Sequence, residues 1–139
     1  MQWPPGRNTA SSVRAVPAVC YAVIVLGASV VEPPAGGLTP TGPLGLVGVD
    51  KWVHAVGYAT LAVLLAYALR ATTTRRLVVV AALAIAYGAG IEVVQSFLPF
   101  RAFSLADALA NAVGVSLVVI VGLVSRCVTR VRSGRSGSD

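Results

Sequence analysis

Four apolar stretches, Val13 to Val31, Trp52 to Leu69, Leu77 to Leu98 and Leu105 to Val124, dominate this chain and leave it few ways to fold. Each is near the roughly 20 residues that carry a helix across a bilayer at about 1.5 Å per residue. The chain is 56% hydrophobic and 12% charged, with a mean hydropathy of +0.81, whereas soluble domains average about 25% charged residues. Inside hydrocarbon a backbone must satisfy its own hydrogen bonds, which a helix does within one segment. The expected fold class is all-α: a four-helix bundle, multi-pass and integral to the cell membrane.

Arginine placement orients the bundle, because short loops rich in Lys and Arg stay on the cytoplasmic side. Arg7 and Arg14 flank the start of the first run, Arg70, Arg75 and Arg76 lie between the second and third, and Arg126, Arg130, Arg132 and Arg135 follow the fourth. The opposite side receives only Lys51 and Arg101. Both termini are therefore expected in the cytoplasm, with four crossings. The same arginines, set beside anionic headgroups, account for the formal net charge of +6. Dispersed among the spans, they form no basic surface for a nucleic acid, so no nucleic-acid partner is expected. Cys20 and Cys127 map towards the cytoplasm, where thiols stay reduced.

Residues 1–12 are polar, contain Pro4-Pro5-Gly6 and read as a mobile leader. Residues 13–124 read as one transmembrane domain. Its first run also has features of a secretory signal peptide, but its reach to Val31 exceeds the about 7–15 residues of a signal core and favours a retained anchor. Between Glu32 and Val49, Pro33, Pro34, Pro40 and Pro43 alternate with glycines, a composition expected to form an external loop. Residues 125–139 are rich in Ser, Gly and Arg and are expected to be a disordered basic tail drawn to headgroups. The pairs Ala86 with Gly90 and Ala110 with Gly114, and Gly57 beside His54, have the spacing that lets membrane helices approach closely. Ordinary small-residue usage explains them equally well.

The remaining polar groups are grouped in sequence. Asp50-Lys51-x-x-His54-x-x-x-Tyr58 opens the second run, Glu92-x-x-Gln95-x-x-x-Pro99-x-Arg101 closes the third, and Asp107-x-x-x-Asn111-x-x-Gly114 opens the fourth. Spacings of three and four place each set on one helix face. Under the arginine-derived topology all fall in the extracytoplasmic half, at similar depth. They are expected to converge into a polar pocket beneath Arg101.

Each residue has a structural and a functional reading. Asp50 begins a helix, and Ser104-x-x-Asp107 fits a capping box, in which side chains satisfy free backbone N–H groups. His54 has the chemistry of a general base or metal ligand beside Asp50, Glu92 and Asp107. No second histidine accompanies it, so neither a metal nor any other cofactor is expected. Glu92, several residues inside an apolar helix, must be protonated, hydrated or paired, with Arg101, Lys51 and His54 as candidate partners. Tyr58, Gln95 and Asn111 are hydrogen-bonding wall residues or interhelical fastenings. Ser96 and Ser104 have no local motif that would make either a nucleophile. Lys51 and Arg101 suit a clamp on a phosphate or carboxylate headgroup.

The ordered set Asp50-Lys51-Trp52-Val53-His54 with Tyr58, Glu92-Val93-Val94-Gln95 with Pro99 and Arg101, and Asp107 with Asn111 and Gly114 resembles the VanZ-like family of small membrane proteins over roughly residues 50–124. The sequence departs at Val118, where family members often have a second small glycine four residues after Gly114. The family takes its name from an accessory factor in glycopeptide antibiotic resistance, associated with teicoplanin, and the resemblance implies a cell-envelope role without assigning catalytic residues. Three functional readings stand together here. One is recognition or handling of an anionic membrane lipid or lipid-linked envelope precursor. The others are a membrane-embedded hydrolase or transferase acting on lipid-linked substrates, and a structural scaffold subunit.

Overall fold

The computed structural model describes residues 7–32, 42, 45, 47–101 and 103–135. They form four helices and no strand: α1 (Arg7–Val30), α2 (Val49–Ala68), α3 (Thr74–Gln95) and α4 (Leu105–Arg135). Three have segments long and apolar enough to cross a membrane, at Val13–Val30, Thr74–Gln95 and Leu105–Val131. α2 is not among them, and Asp50, Lys51, His54, Tyr58 and Thr60 punctuate its first half. It is nonetheless the central helix, packed against α1, α3 and α4.

The helices alternate in direction, so the start of α2 lies beside the start of α4 and the end of α3. Tyr58, Leu61, Ala62, Val80, Ala84 and Val115 form the buried core, with Leu65 and Val118 packed against it. At Val118, the departure from the family pattern, a larger side chain fills interhelical space. Valines, leucines and isoleucines on the outer faces, such as Val16, Val23, Val78, Leu83, Leu109 and Leu117, are exposed. A coat of that kind belongs against hydrocarbon.

The close approach expected at Gly114 is present, since a Cβ there would lie 2.0 Å from the Ala55 carbonyl oxygen, so α4 rests directly on the α2 backbone. The Ala86/Gly90 pair makes no such seam, for nothing lies within 4 Å of a Cβ at Gly90. Gly88 is the small residue of α3 that matters: its Cβ would meet the Tyr58 ring at 2.9 Å.

Helix ends depart from the expected limits for local reasons. α3 begins at Thr74 because Thr73 caps it, accepting a hydrogen bond from the Arg76 N–H at 3.3 Å. It ends at Gln95, short of Leu98, because a residue before proline disfavours the α conformation and Pro99 follows. α2 closes with Arg70 at a φ of 46° and with hydrogen bonds from Ala71 N–H to the Ala66 carbonyl and from Arg70 N–H to the Tyr67 carbonyl, at 2.9 and 3.2 Å. That pattern is a Schellman stop.

Helix extends into both terminal segments: residues 7–12 of the expected leader belong to α1, and residues 125–135 of the expected tail continue α4. No proline interrupts Ser125 to Arg135, and extending a formed helix adds one hydrogen bond for each residue fixed. Residues 1–6 of the leader, 136–139 of the tail and most of the Pro/Gly connection lie outside the described residues.

Arginines gather at one end of the bundle. Arg14 lies 5.5 Å from the Tyr67 ring centroid, Arg76 Nη1 donates to the Arg70 carbonyl at 2.9 Å, and Arg126 Nη2 donates to the Ala71 carbonyl. The sequence signature lies at the other end.

Candidate functional site

The start of α2 meets the start of α4 through a three-residue ion cluster. Lys51 Nζ lies 2.5 Å from Asp50 Oδ2 and 2.5 Å from Asp107 Oδ1. The Lys51 ammonium, hydrogen-bonded to Asp50, holds that carboxyl below its usual range, and Asp107 followed by Asp50 raises the Lys51 pKa. Lys51 is thus paired with two carboxylates, where its sequence position suggests a headgroup clamp together with Arg101.

His54 lies one turn below Asp50. Its Nδ1 donates to the Asp50 carbonyl oxygen at 2.8 Å and lies 3.8 Å from Asp107 Oδ1. Because a carbonyl only accepts, the proton sits on Nδ1, and the lone pair of the neutral ring is on Nε2.

Glu92 is only 2% exposed, and its partner is none of the three side chains expected. Its Oε2 accepts the Ser104 N–H at 3.2 Å. The carboxylate therefore sits over the N-terminus of α4, where free N–H groups and the helix dipole favour an anion. Ser104 Oγ accepts from the Asp107 N–H at 3.2 Å, forming half of the expected capping box. The other half is redistributed: the Ser104 N–H goes to Glu92, while the Asp107 carboxylate goes to Lys51.

These groups border a cavity of about 230 Å³ lined by His54, Tyr58, Glu92, Gln95, Arg101 and Asn111, with Tyr21 and Ser29 from α1. Gln95 Nε2 donates to the Ser29 carbonyl at 3.0 Å, and Tyr21 donates its hydroxyl to the Gly57 carbonyl at 3.1 Å. The α1 contribution has no counterpart in the sequence signature. Tyr21, a polar aromatic within an apolar run, was the available clue, whereas a backbone carbonyl such as that of Ser29 leaves no sequence mark.

Within the cavity wall two buried polar atoms lack partners among the described residues, Asn111 Oδ1 and Arg101 Nε. Arg101 also makes no ion pair among the described residues. Six of the nine expected site residues thus line the cavity, and Asp50, Lys51 and Asp107 form the ion cluster beside it. His54, Glu92 and Asp107 bring one potential ligand atom each to within 4.8 Å of the others.

A family model described as VanZ/LLP1 matches residues 12–126. The match takes in α1 as well as the signature, so the helix that supplies Tyr21 and Ser29 is part of the family domain. Neither the curated proteins nor the solved structures contain a match.

Proposed function

The chain is a membrane protein that belongs to the VanZ/LLP1 family, and from that premise we propose that its polar cavity, facing the extracytoplasmic side, recognises an anionic lipid or lipid-linked cell-envelope precursor. The observation that carries this reading is Arg101, a guanidinium at the cavity wall with a buried, unpartnered Nε and no ion pair among the described residues. Arg presents several donors in a planar fork that matches phosphate and carboxylate oxygens, and burial strengthens such bonds. The cavity, about 230 Å³, is smaller than the roughly 300–1,000 Å³ that takes a drug-sized ligand. It suits a headgroup whose acyl or isoprenoid chain stays in the bilayer. Orientation follows the arginines: the end that holds Arg14, Arg76 and Arg126 is cytoplasmic, all four helices cross, and the cavity opens to the outer leaflet.

A fastening role alone would saturate each buried polar atom, since an orphaned one costs about 1–3 kcal/mol. Asn111 Oδ1 and Arg101 Nε, the two such atoms in the cavity wall, do not fit that pattern, while Trp52 Nε1 and Arg126 Nη1 outside it are also without partners among the described residues. A second reading, a hydrolase or transferase acting on the bound lipid, draws support from His54, whose Nδ1 bond to Asp50 leaves Nε2 as a base at a cavity shared with Glu92. Native mass spectrometry of the gently extracted protein tests the binding proposal. An anionic or phosphate-linked lipid should accompany the wild type; a protein that carries only zwitterionic lipid, or none, contradicts it.

A further inference from the structure

At the edge of the cavity, two residues of its wall, His54 and Glu92, approach Asp107 of the neighbouring ion cluster, a combination whose chemistry the lipid reading does not use. We propose that His54, Glu92 and Asp107 bind a first-row divalent cation, Zn²⁺ or Mn²⁺, with Asn111 Oδ1 as a further oxygen donor. This inference does not rest on the lipid reading and goes beyond it.

Four observations converge. First, one potential ligand atom from each of the three residues lies within 4.8 Å of the others. Ligands bound at about 2.1 Å to a common ion are about 3–4 Å apart, so a small closure forms the site. Second, metal-bound histidines usually donate their other ring N–H to a carbonyl or carboxylate, which fixes the tautomer. His54 does this through Nδ1 to the Asp50 carbonyl, and because Nδ1 is also the ring atom 3.8 Å from Asp107 Oδ1, binding through Nε2 requires a shift of the ring that brings Nε2 inward. Third, Asn111 is 4% exposed, and its carbonyl Oδ1, at the wall it shares with His54 and Glu92, has no hydrogen-bond partner among the described residues. A buried carbonyl oxygen without a donor is a place for a cation. Fourth, three carboxylates face two cations in the layer of Asp50, Lys51, Glu92, Arg101 and Asp107, a negative excess that a cation relieves.

Lys51 already occupies one position on Asp107. A carboxylate offers about four lone-pair sites, so the ammonium and a metal can share it. One imidazole with oxygen donors suits ions that accept both, as Zn²⁺ and Mn²⁺ do, better than Mg²⁺ or Ca²⁺, which take oxygen alone. Three protein ligands leave tetrahedral Zn²⁺ a position open to water or to an anionic ligand, whereas with Asn111 as a fourth ligand an open position requires the higher coordination number of an ion such as Mn²⁺.

The test uses the full chain, untagged, with Cys20 and Cys127 changed to alanine so that thiols contribute nothing. The chelator-stripped protein is titrated in detergent with Zn²⁺, Mn²⁺ and Mg²⁺, and metal content is measured by mass spectrometry. About one equivalent of Zn²⁺ or Mn²⁺ should bind the parent. His54→Ala and Asp107→Asn should each weaken it by more than the roughly 10–100-fold that follows loss of a group one shell further out. X-ray absorption of the metal-loaded parent provides a readout that requires no variant to fold: a nitrogen and oxygen shell with a single imidazole is expected. No stoichiometric binding, two imidazoles in the shell, or wild-type affinity in folded His54→Ala overturns the inference. Lipid retention is measured on the same samples, so a failure of the metal site is read apart from a failure of the Arg101 proposal.

Discussion

Glu92 shows how a single residue ties the fold to the site. A carboxylate 2% exposed on an apolar helix would be untenable alone, and it is held by the Ser104 N–H at the opening of α4. Glu92→Leu orphans that N–H and should destabilise the protein by about 1–3 kcal/mol in detergent melts. Glu92→Gln keeps an acceptor and forfeits only the charge at the helix end, so its loss should stay below about 2 kcal/mol. Equal melting of the two variants would remove the Ser104 bond from the explanation. That Glu92 needed a partner was legible in sequence, because a lone charge among apolar residues is costly wherever it folds. Which partner was not legible, since the solution is a backbone N–H and Ser104 is twelve residues away across a hairpin. By residue type Lys51 and Arg101 both suit an anion clamp, and only the three-dimensional register shows Asp50 and Asp107 pairing with Lys51 while Arg101 lines the cavity.

Among the elements, α2 and α4 form the seam on which the ion cluster depends. With Gly114 seated on the Ala55 carbonyl, Gly114→Ala must push the helices apart and should cost at least about 1–3 kcal/mol, the range for overpacking. Gly90→Ala has open space and should be neutral, or stabilising by up to about 1 kcal/mol through helix propensity. Thermal melts of the pair check this, and a Gly114→Ala protein as stable as wild type would contradict the seam. Small-xxx-small spacing pointed equally to both glycines, because such spacing reports which residues could permit close approach and not which helix comes near. The existence of four helices was plain from span length. Their ends were less so: Thr73 as a cap and Leu98 before Pro99 are local signals that apolar runs obscure, and the basic stretch after Ser125 looked like a tail by composition although it holds no helix breaker before Gly134.

At the scale of the whole molecule, the arginines other than Arg101 gather away from the polar site, as Arg14, Arg76 and Arg126 show, and the proposed topology follows from that polarity. In protein freed of its native cysteines, Val47→Cys should react with an impermeant maleimide in intact cells, and Thr72→Cys only after permeabilisation. The reverse pattern would turn the cavity towards the cytoplasm. The central claim is that this layer of polar groups exists to hold an anionic ligand and does not merely fasten helices. Its most direct measurement is retained lipid against melting temperature for wild type and Arg101→Gln, extracted side by side. A charge-assisted hydrogen bond contributes about 1.5–3 kcal/mol, so Arg101→Gln should retain about 10–100-fold less anionic lipid while melting within a few degrees of wild type. A folded Arg101→Gln protein with the full wild-type complement of lipid would contradict the claim.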